Sequence, residues 1–362
     1  MIQTYLVYFG APLVCSFLAN QAAKRNKTTY VWMIIAVLTL ISGLRSYQTG
    51  LDTYNYLSKI QLISVGQSEL AYGFEESFKM ICFLLSRIFN NGTFFLCVFA
   101  FITNALIIFR LWDFRQISSF LWMVLFYYSC FYFMTMNGIR QFCAVSIIFY
   151  FTRYLNQKKL FVFLMGVVIA SLFHQSALIG LIFLLEEIRQ WRTLNQREKL
   201  LVLCCIGAMP IALHYIFSAS TRYKHYFQAT NIDVGVMLPI KILFYLVTLI
   251  FVYQIYKRMM LSPVKSISSS AASPDAIPMI CAAYMAGLLL TMFGYMYAQV
   301  ERIGWYFYLY EGAYYGILQK DTDKVNKYVF GGCIAILIGY SFIYSILHNS
   351  QGNIPYLFFW QG

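Results

Sequence analysis

The chain of 362 residues is 60% hydrophobic and only 11% charged. A soluble domain carries roughly 25% charged residues, so this composition excludes a water-soluble fold and indicates an integral membrane protein. The formal net charge of +13 comes from basic residues spread over short loops rather than from one patch. It therefore indicates insertion topology and excludes nucleic acid as a partner.

Apolar runs approaching the length of a membrane span, about 20 residues, recur along the whole chain. They predict an all-α polytopic membrane bundle of about 12 transmembrane helices, in one domain over residues 1–362. Both termini then face outside, and the basic residues concentrate in the inner loops. The expected crossings are 3–19, 31–44, 93–112, 119–136, 139–155, 160–173, 176–188, 200–217, 238–256, 278–298, 304–318 and 328–347.

Three segments between the crossings are distinctive. The first is an outer loop over 45–92 that contains an interfacial or re-entrant helix over 77–89. The second is the bend at His174, where the run 160–185 must fold back because basic loops flank both of its ends. Each arm is too short to span the bilayer, so we expect the bend to lie at the floor of an outward-facing cavity. The third is a flexible cytoplasmic loop over 259–277.

Most charged residues outside the predicted inner loops lie in short segments at the outer ends of helices. Each segment also carries hydrogen-bonding or aromatic side chains, so one outward-facing site would collect them. No Cys or His spacing typical of a metal site accompanies them, and we predict neither metal nor cofactor. The segments contain Arg45, Asp52, Tyr54 and Tyr72; Asn137, Arg140 and Gln141; His174 and Ser176; Arg222 and Tyr223; and Arg302 and Tyr306.

Three short motifs carry a resemblance to a known family. Arg45 precedes a Gly-x-Asp-Thr-x-x-Tyr segment over 50–56, followed by Asn-x-x-Arg-Gln over 137–141 and Phe-His-x-Ser-Ala over 173–177. This pattern, spread over residues 43–306, resembles the EpsG family of Wzy-type polysaccharide polymerases.

The resemblance implies a polymerase of the bacterial inner membrane that acts at its outer face. Such an enzyme joins undecaprenyl-diphosphate-linked oligosaccharide repeat units by inverting glycosyl transfer, in O-antigen, capsule or exopolysaccharide synthesis. The partners implied are this lipid-linked substrate, membrane lipids, a chain-length regulator and a flippase.

The reaction needs a cation to stabilise the departing diphosphate and a base to take the acceptor proton. Arginine suits the first task because its planar guanidinium grips phosphate oxygens bidentately. We therefore expect a diphosphate clamp, and Arg140 has the added favourable potential of a helix N-terminus. The clamp would consist of Arg140, Arg222 and Arg302, with Arg45 in support.

Two residues compete as the base. His174 titrates in the useful pH range, whereas Asp52 lies in an outer loop accessible to an acceptor sugar. The substrate would also meet side chains that stack on sugar rings or donate and accept hydrogen bonds. We expect stacking by Tyr54, Tyr72, Tyr223 and Tyr306, and hydrogen bonds from Asn137, Gln141 and Ser176.

Other interpretations compete with this one. Arginines at helix ends also occur as snorkelling interface residues, and a lone histidine in an apolar run is often a satisfied core residue. A flippase would bind the same diphosphate without chemistry, and a membrane O-acyltransferase would use His174 without needing several outer arginines. Glu311, inside a predicted helix, is expected to pair with Arg302 or with another cation across the bundle.

Overall fold

The structure is a computed structural model that describes residues 2–157, 159–184, 237–261, 274–294, 298–320 and 323–361. Within these ranges it is all helical apart from loops, and the only β-type pairing is an isolated bridge between Arg45 and Phe358. The all-α prediction is confirmed. Predicted crossing 200–217 and most of loop 259–277 lie outside the described residues.

The described part of the chain contains five helices long and apolar enough to cross a membrane, together with shorter apolar helices. These helices make the protein a multi-pass membrane protein, whereas the number of about 12 crossings stays a prediction. The first half of the chain contains α1 (Ile2–Arg25), α2 (Thr28–Gly43), α3 (Thr53–Ser64), α4 (Glu76–Ser86), α5 (Gly92–Asp113), α6 (Phe120–Tyr132), α7 (Ile139–Phe151) and α8 (Leu160–Phe173).

The second half begins, among the described residues, with a long apolar helix. Its helices are α9 (Met237–Leu261), α10 (Ala276–Gly294), α11 (Ala298–Tyr308), α12 (Tyr310–Lys320) and α13 (Lys324–Leu347). Short 3₁₀ or α segments lie between or after these helices, at Ser68–Leu70, Phe114–Gln116, Met134–Met136, Arg153–Asn156, Gln175–Phe183 and Phe359–Gln361.

Helix α5 lies between α2 and α7 and forms the centre of the first half of the bundle. The approach of α2 is close at Gly43, where an added Cβ would meet the Cys97 Cα at 2.8 Å. Only glycine allows that contact. The C-terminal end of α2, and with it Arg45, is therefore held against α5.

Two predicted crossings are interrupted in the structure. The span 139–155 ends as α7 at Phe151, and the span 304–318 is divided between α11 and α12 at Leu309. Hydropathy did not indicate either break. Helix α6 also departs from a regular helix, because its last turn, Tyr127–Tyr132, is a π-helix.

The chain reverses direction at His174, as predicted. Helix α8 ends at Phe173, His174 is extended, and a 3₁₀ helix covers Gln175–Phe183. Added Cβ atoms at Gly166 and Gly180 would meet Phe151 and Ile148, which are one turn apart on α7. Both arms therefore lie against the same end of α7. The returning arm is 3₁₀ rather than α-helical.

The loop over 45–92 contains a helix close to the predicted 77–89, which runs from Glu76 to Ser86 as α4. Phe78 and Cys82 are fully buried, while Met80 and Leu84 are each 59% exposed. The face with Phe78 and Cys82 therefore packs against the protein, and the interfacial position of α4 stays a prediction.

Hydropathy did not indicate that the C-terminal segment packs on the outer loop. The amide of Ser46 donates to the Leu357 carbonyl at 2.8 Å, and the amide of Gly50 donates to the Gly352 carbonyl at 2.9 Å. The end of the chain therefore fixes the loop that carries the first motif.

Candidate functional site

Arg45 is held inside the protein by its own motif. Its guanidinium donates to the Thr53 hydroxyl at 3.1 Å, to the Met136 carbonyl at 2.8 Å and to the Ser42 carbonyl. The side chain is 2% exposed, so it cannot reach a bound diphosphate in this conformation. Arg45 is a structural residue that joins the first motif to the segment before Arg140, and the expected support for a clamp does not match this position.

Asn137 also joins the outer loop to neighbouring segments. Its amide nitrogen donates to the Gln351 carbonyl at 2.9 Å and to the Gln351 side-chain oxygen at 2.8 Å. Its side-chain oxygen accepts from the Asp52 amide at 3.4 Å. The side chain is buried and positions the start of α7 and Asp52 relative to one another.

Arg140 lies in the first turn of α7 and forms an ion pair with Glu75. Its guanidinium carbon is 4.5 Å from the centre of the Phe74 ring, and its Nε is 3.4 Å from the Tyr56 hydroxyl. The side chains of Arg140 and Glu75 are 15% and 14% exposed. The ion pair is therefore largely buried, yet it remains open at one edge.

His174, Ser176 and Tyr306 form a hydrogen-bonded chain. The Ser176 hydroxyl is 2.7 Å from His174 Nδ1 and 2.9 Å from the Tyr306 hydroxyl. The backbone N–H of Ser176 donates to the same Nδ1 at 3.2 Å. Because an amide N–H can only donate, Nδ1 is the acceptor, and the neutral ring carries its proton on Nε2. Neutral His174 therefore presents a hydrogen-bond donor at its other nitrogen.

The Tyr306 side chain is fully buried. Its ring has no exposed face to stack on a sugar, which differs from the expected stacking role. Its contribution comes through the hydroxyl that binds Ser176. The sequence alone could not distinguish a stacking tyrosine from a hydrogen-bonding one.

The ion pair and the hydrogen-bonded chain lie in one charged environment. The charges of Glu75, Arg140 and Arg302 all act on the His174 imidazole. Gln141 donates to the Arg302 carbonyl at 2.8 Å, which fixes α11 against α7. We call the set Lys59, Glu75, Arg140, His174 and Arg302 the charged cluster.

Lys59 adds a cation at the edge of the cluster. Its Nζ donates to the Tyr72 carbonyl at 2.8 Å and lies 5.1 Å from the centre of the Phe74 ring. Partial burial lowers the pKa of Lys59 below its usual value, and the positive charge of Arg140 lowers it further. The half-buried Asp52 acts in the opposite direction on the same amine.

The remaining predicted residues differ in accessibility. Tyr54 and Tyr72 are 67% and 73% exposed and have open ring faces, while Arg302 is an exposed residue of α11. Arg222 and Tyr223 lie outside the described residues. Among the described residues no group of three or more metal-binding side chains comes together.

Sequence reasoning assigned no role in the site to Glu75, Lys59 or the ring of Phe74. Glu75 stands beside Glu76, and only the latter is exposed, so the two could not be separated without the fold. Lys59 lies seven positions after Asp52, two turns along one face of α3. This seven-residue spacing was the sequence signal that could have placed Lys59 near Asp52.

Comparison with known proteins gave one match. The sequence model of the EpsG family matches residues 28–358, which is nearly the whole chain. No curated protein and no solved structure matches the chain.

Proposed function

The chain belongs to the EpsG family, whose members are Wzy-type polysaccharide polymerases, and on that premise we propose how its charged cluster works. The substrates are oligosaccharide repeat units carried on undecaprenyl diphosphate, and the reaction occurs at the outer face of the bacterial inner membrane. The observation that carries this proposal is the Arg140–Glu75 ion pair beside His174, at the junction of all three motifs.

The donor diphosphate binds where cations converge. Arg140 acts on Lys59 and on His174, and Arg302 also acts on His174, so the three cations share one electrostatic environment. Arg140 adds the N-terminal potential of α7. Arg140 is already paired with Glu75, so an incoming diphosphate competes with that carboxylate for the guanidinium. Binding of the donor releases Glu75 from its partner.

The released carboxylate is suited to act as the base. The acceptor hydroxyl oxygen forms a bond to the anomeric carbon of the donor sugar, and the bond from that carbon to the diphosphate oxygen breaks. Undecaprenyl diphosphate leaves with the electron pair, and the hydroxyl proton passes to Glu75 or to Asp52. Attack opposite to the leaving group inverts the anomeric carbon.

His174 then has a different task from the one expected of it. With Nδ1 accepting from Ser176, its Nε2–H is a donor available to a phosphate or sugar oxygen. Ser176 and Tyr306 fix the orientation of the ring. The position of a donor beside the clamp supports stabilisation of the departing diphosphate rather than proton abstraction.

The test is complementation of a deletion strain with Arg140→Ala. We expect inserted protein, single repeat units and no long polymer on a gel. The control is Arg115→Ala, because Arg115 also lies over an aromatic ring, 4.3 Å from the centre of Trp112, but belongs to no part of the charged cluster. That variant should give a normal chain-length ladder.

Three other results would contradict the proposal. A normal ladder from Arg140→Ala would remove the clamp. Accumulation of lipid-linked units at the inner face in the deletion strain would indicate a flippase. Loss of O-acetyl groups with unchanged polymer length would indicate an acyltransferase.

A further inference from the structure

A cavity lies beside α11, which contributes Glu301 and Tyr308 to its lining. It has a volume of about 420 Å³ and is lined by residues of α6, α9, α10, α11 and α13 and by Ser350 and Gln351. Small-molecule sites typically occupy about 300–1,000 Å³. The cavity is therefore large enough for one or two sugar rings.

The charges in this cavity do not suit a diphosphate. Lys241 Nζ is 3.0 Å from a Glu311 carboxylate oxygen and donates to the Tyr308 hydroxyl at 2.8 Å. Of the two alternatives expected for Glu311, Arg302 or another cation across the bundle, the structure shows the second, Lys241 of α9. The other charged group on the wall is the Glu301 carboxylate. Among the described lining residues no cation is left without a counter-ion.

The lining is instead rich in hydroxyl groups and aromatic rings. Tyr340 and Tyr344 are stacked with ring centres 6.1 Å apart and planes 20° apart, and they are 47% and 50% exposed. Ser341 and Ser345 follow each tyrosine directly along α13 and also line the cavity. Aromatic faces beside hydroxyl, amide and carboxylate groups match the apolar faces and hydroxyl edges of a sugar.

Helix α11 contributes residues to both the cavity and the charged cluster. Glu301 and Tyr308 line the cavity, while Tyr306 bonds Ser176 and the Arg302 charge reaches His174. A second link is Gln351, which lines the cavity and binds Asn137, three residues before Arg140. The two sites therefore share structural elements but differ in charge.

We propose that this cavity is a carbohydrate subsite that holds the sugar chain of the acceptor substrate. Glu301 and Gln351 hydrogen-bond its hydroxyl groups, and Tyr344 packs on a ring face. A polymerase must bind two lipid-linked sugars at once, and the charged cluster provides for the diphosphate of only one. The inference rests on the proposed function.

The test measures binding of two probes to the full-length protein in detergent. One probe is the oligosaccharide released from its carrier lipid by mild acid, and the other is undecaprenyl diphosphate without sugar. Glu301→Gln and Tyr344→Ala should weaken oligosaccharide binding about tenfold, a loss of about 1.4 kcal/mol. Neither should change binding of undecaprenyl diphosphate, which also reports that each variant is folded.

The matched control is Tyr328→Ala. Tyr328 lies on α13 and is 79% exposed, but it does not line the cavity, so its loss should leave oligosaccharide binding unchanged. Unchanged oligosaccharide binding in both cavity variants, or no binding by the unmodified protein, would overturn the subsite. The proposed function is tested separately, since it fails if the unmodified protein forms no polymer while the cavity variants still lose oligosaccharide binding.

Discussion

Exchanging the two charges of the Arg140–Glu75 ion pair separates its structural role from its role in binding diphosphate. Arg140→Ala leaves a carboxylate that is 14% exposed without its partner. Removing one member of a buried pair costs about 3–5 kcal/mol, and the edge of this pair is open to solvent, so we expect about 3 kcal/mol. The contact with the Phe74 ring adds about 0.5–1 kcal/mol to the loss.

The double variant Arg140→Glu with Glu75→Arg restores opposite charges at the same two positions. We expect it to recover a substantial part of the lost stability, measured as the thermal unfolding midpoint in detergent. Polymer formation should stay about 100- to 1,000-fold below that of the unmodified protein, the usual cost of removing one transition-state charge contact. The reason is that the guanidinium no longer lies at the N-terminus of α7.

The single variant Glu75→Gln completes the comparison. Its amide oxygen still accepts a hydrogen bond from Arg140, so the stability loss should be smaller, about 1–2 kcal/mol. Polymer formation should nevertheless fall strongly, because the amide cannot take a proton. Recovery of both stability and polymer formation in the exchanged double variant would refute the reasoning, since the pair would then be structural only.

Two further substitutions test the surroundings of the cluster. Gly50→Ala should lower the free energy of unfolding by about 1–3 kcal/mol and reduce polymer formation, because Gly50 has φ +96° and an added Cβ would lie 2.8 Å from the Asn137 side-chain oxygen. The control is Gly73→Ala, since Gly73 has a similar φ of +82° but open space around an added Cβ. An equal shift of the thermal midpoint in both variants would contradict the packing argument. Tyr306→Phe should lower the free energy of unfolding by about 1 kcal/mol and reduce the polymerisation rate at least about tenfold, because it releases Ser176. The control Tyr310→Phe loses a similar buried hydrogen bond of 2.7 Å and should lower the thermal midpoint alone. Equal polymerisation rates in the two variants would exclude a positioning role for Tyr306.

The sequence was sufficient to predict the class of fold, whereas the membership of the site stays a prediction. Apolar runs are a direct consequence of bilayer thickness, so α1, α5, α9, α10 and α13 could be predicted from hydropathy. The three motifs contain Arg140, His174 and Ser176, which lie near one another in the structure, with Ser176 in contact with His174 and the Arg140 charge acting on its ring.

The roles within the site could not be predicted from sequence. Arg45 binds backbone carbonyls, which every segment offers, so no sequence pattern distinguishes a buried arginine from a ligand-binding one. Arg140 and Glu75 are 65 residues apart, and the C-terminal segment bonds Thr49 from 308 residues away. Such pairings depend on how α3, α4 and α7 pack, and hydropathy carries no information about that packing.

The most direct test of the central claim uses purified protein and synthetic repeat units linked to undecaprenyl diphosphate, with a chelator present. The products are separated on a gel. We predict a ladder of polymer lengths with release of undecaprenyl diphosphate, and no ladder from Arg140→Ala. Unchanged substrate, from protein that demonstrably binds it, would contradict the assignment as a polymerase.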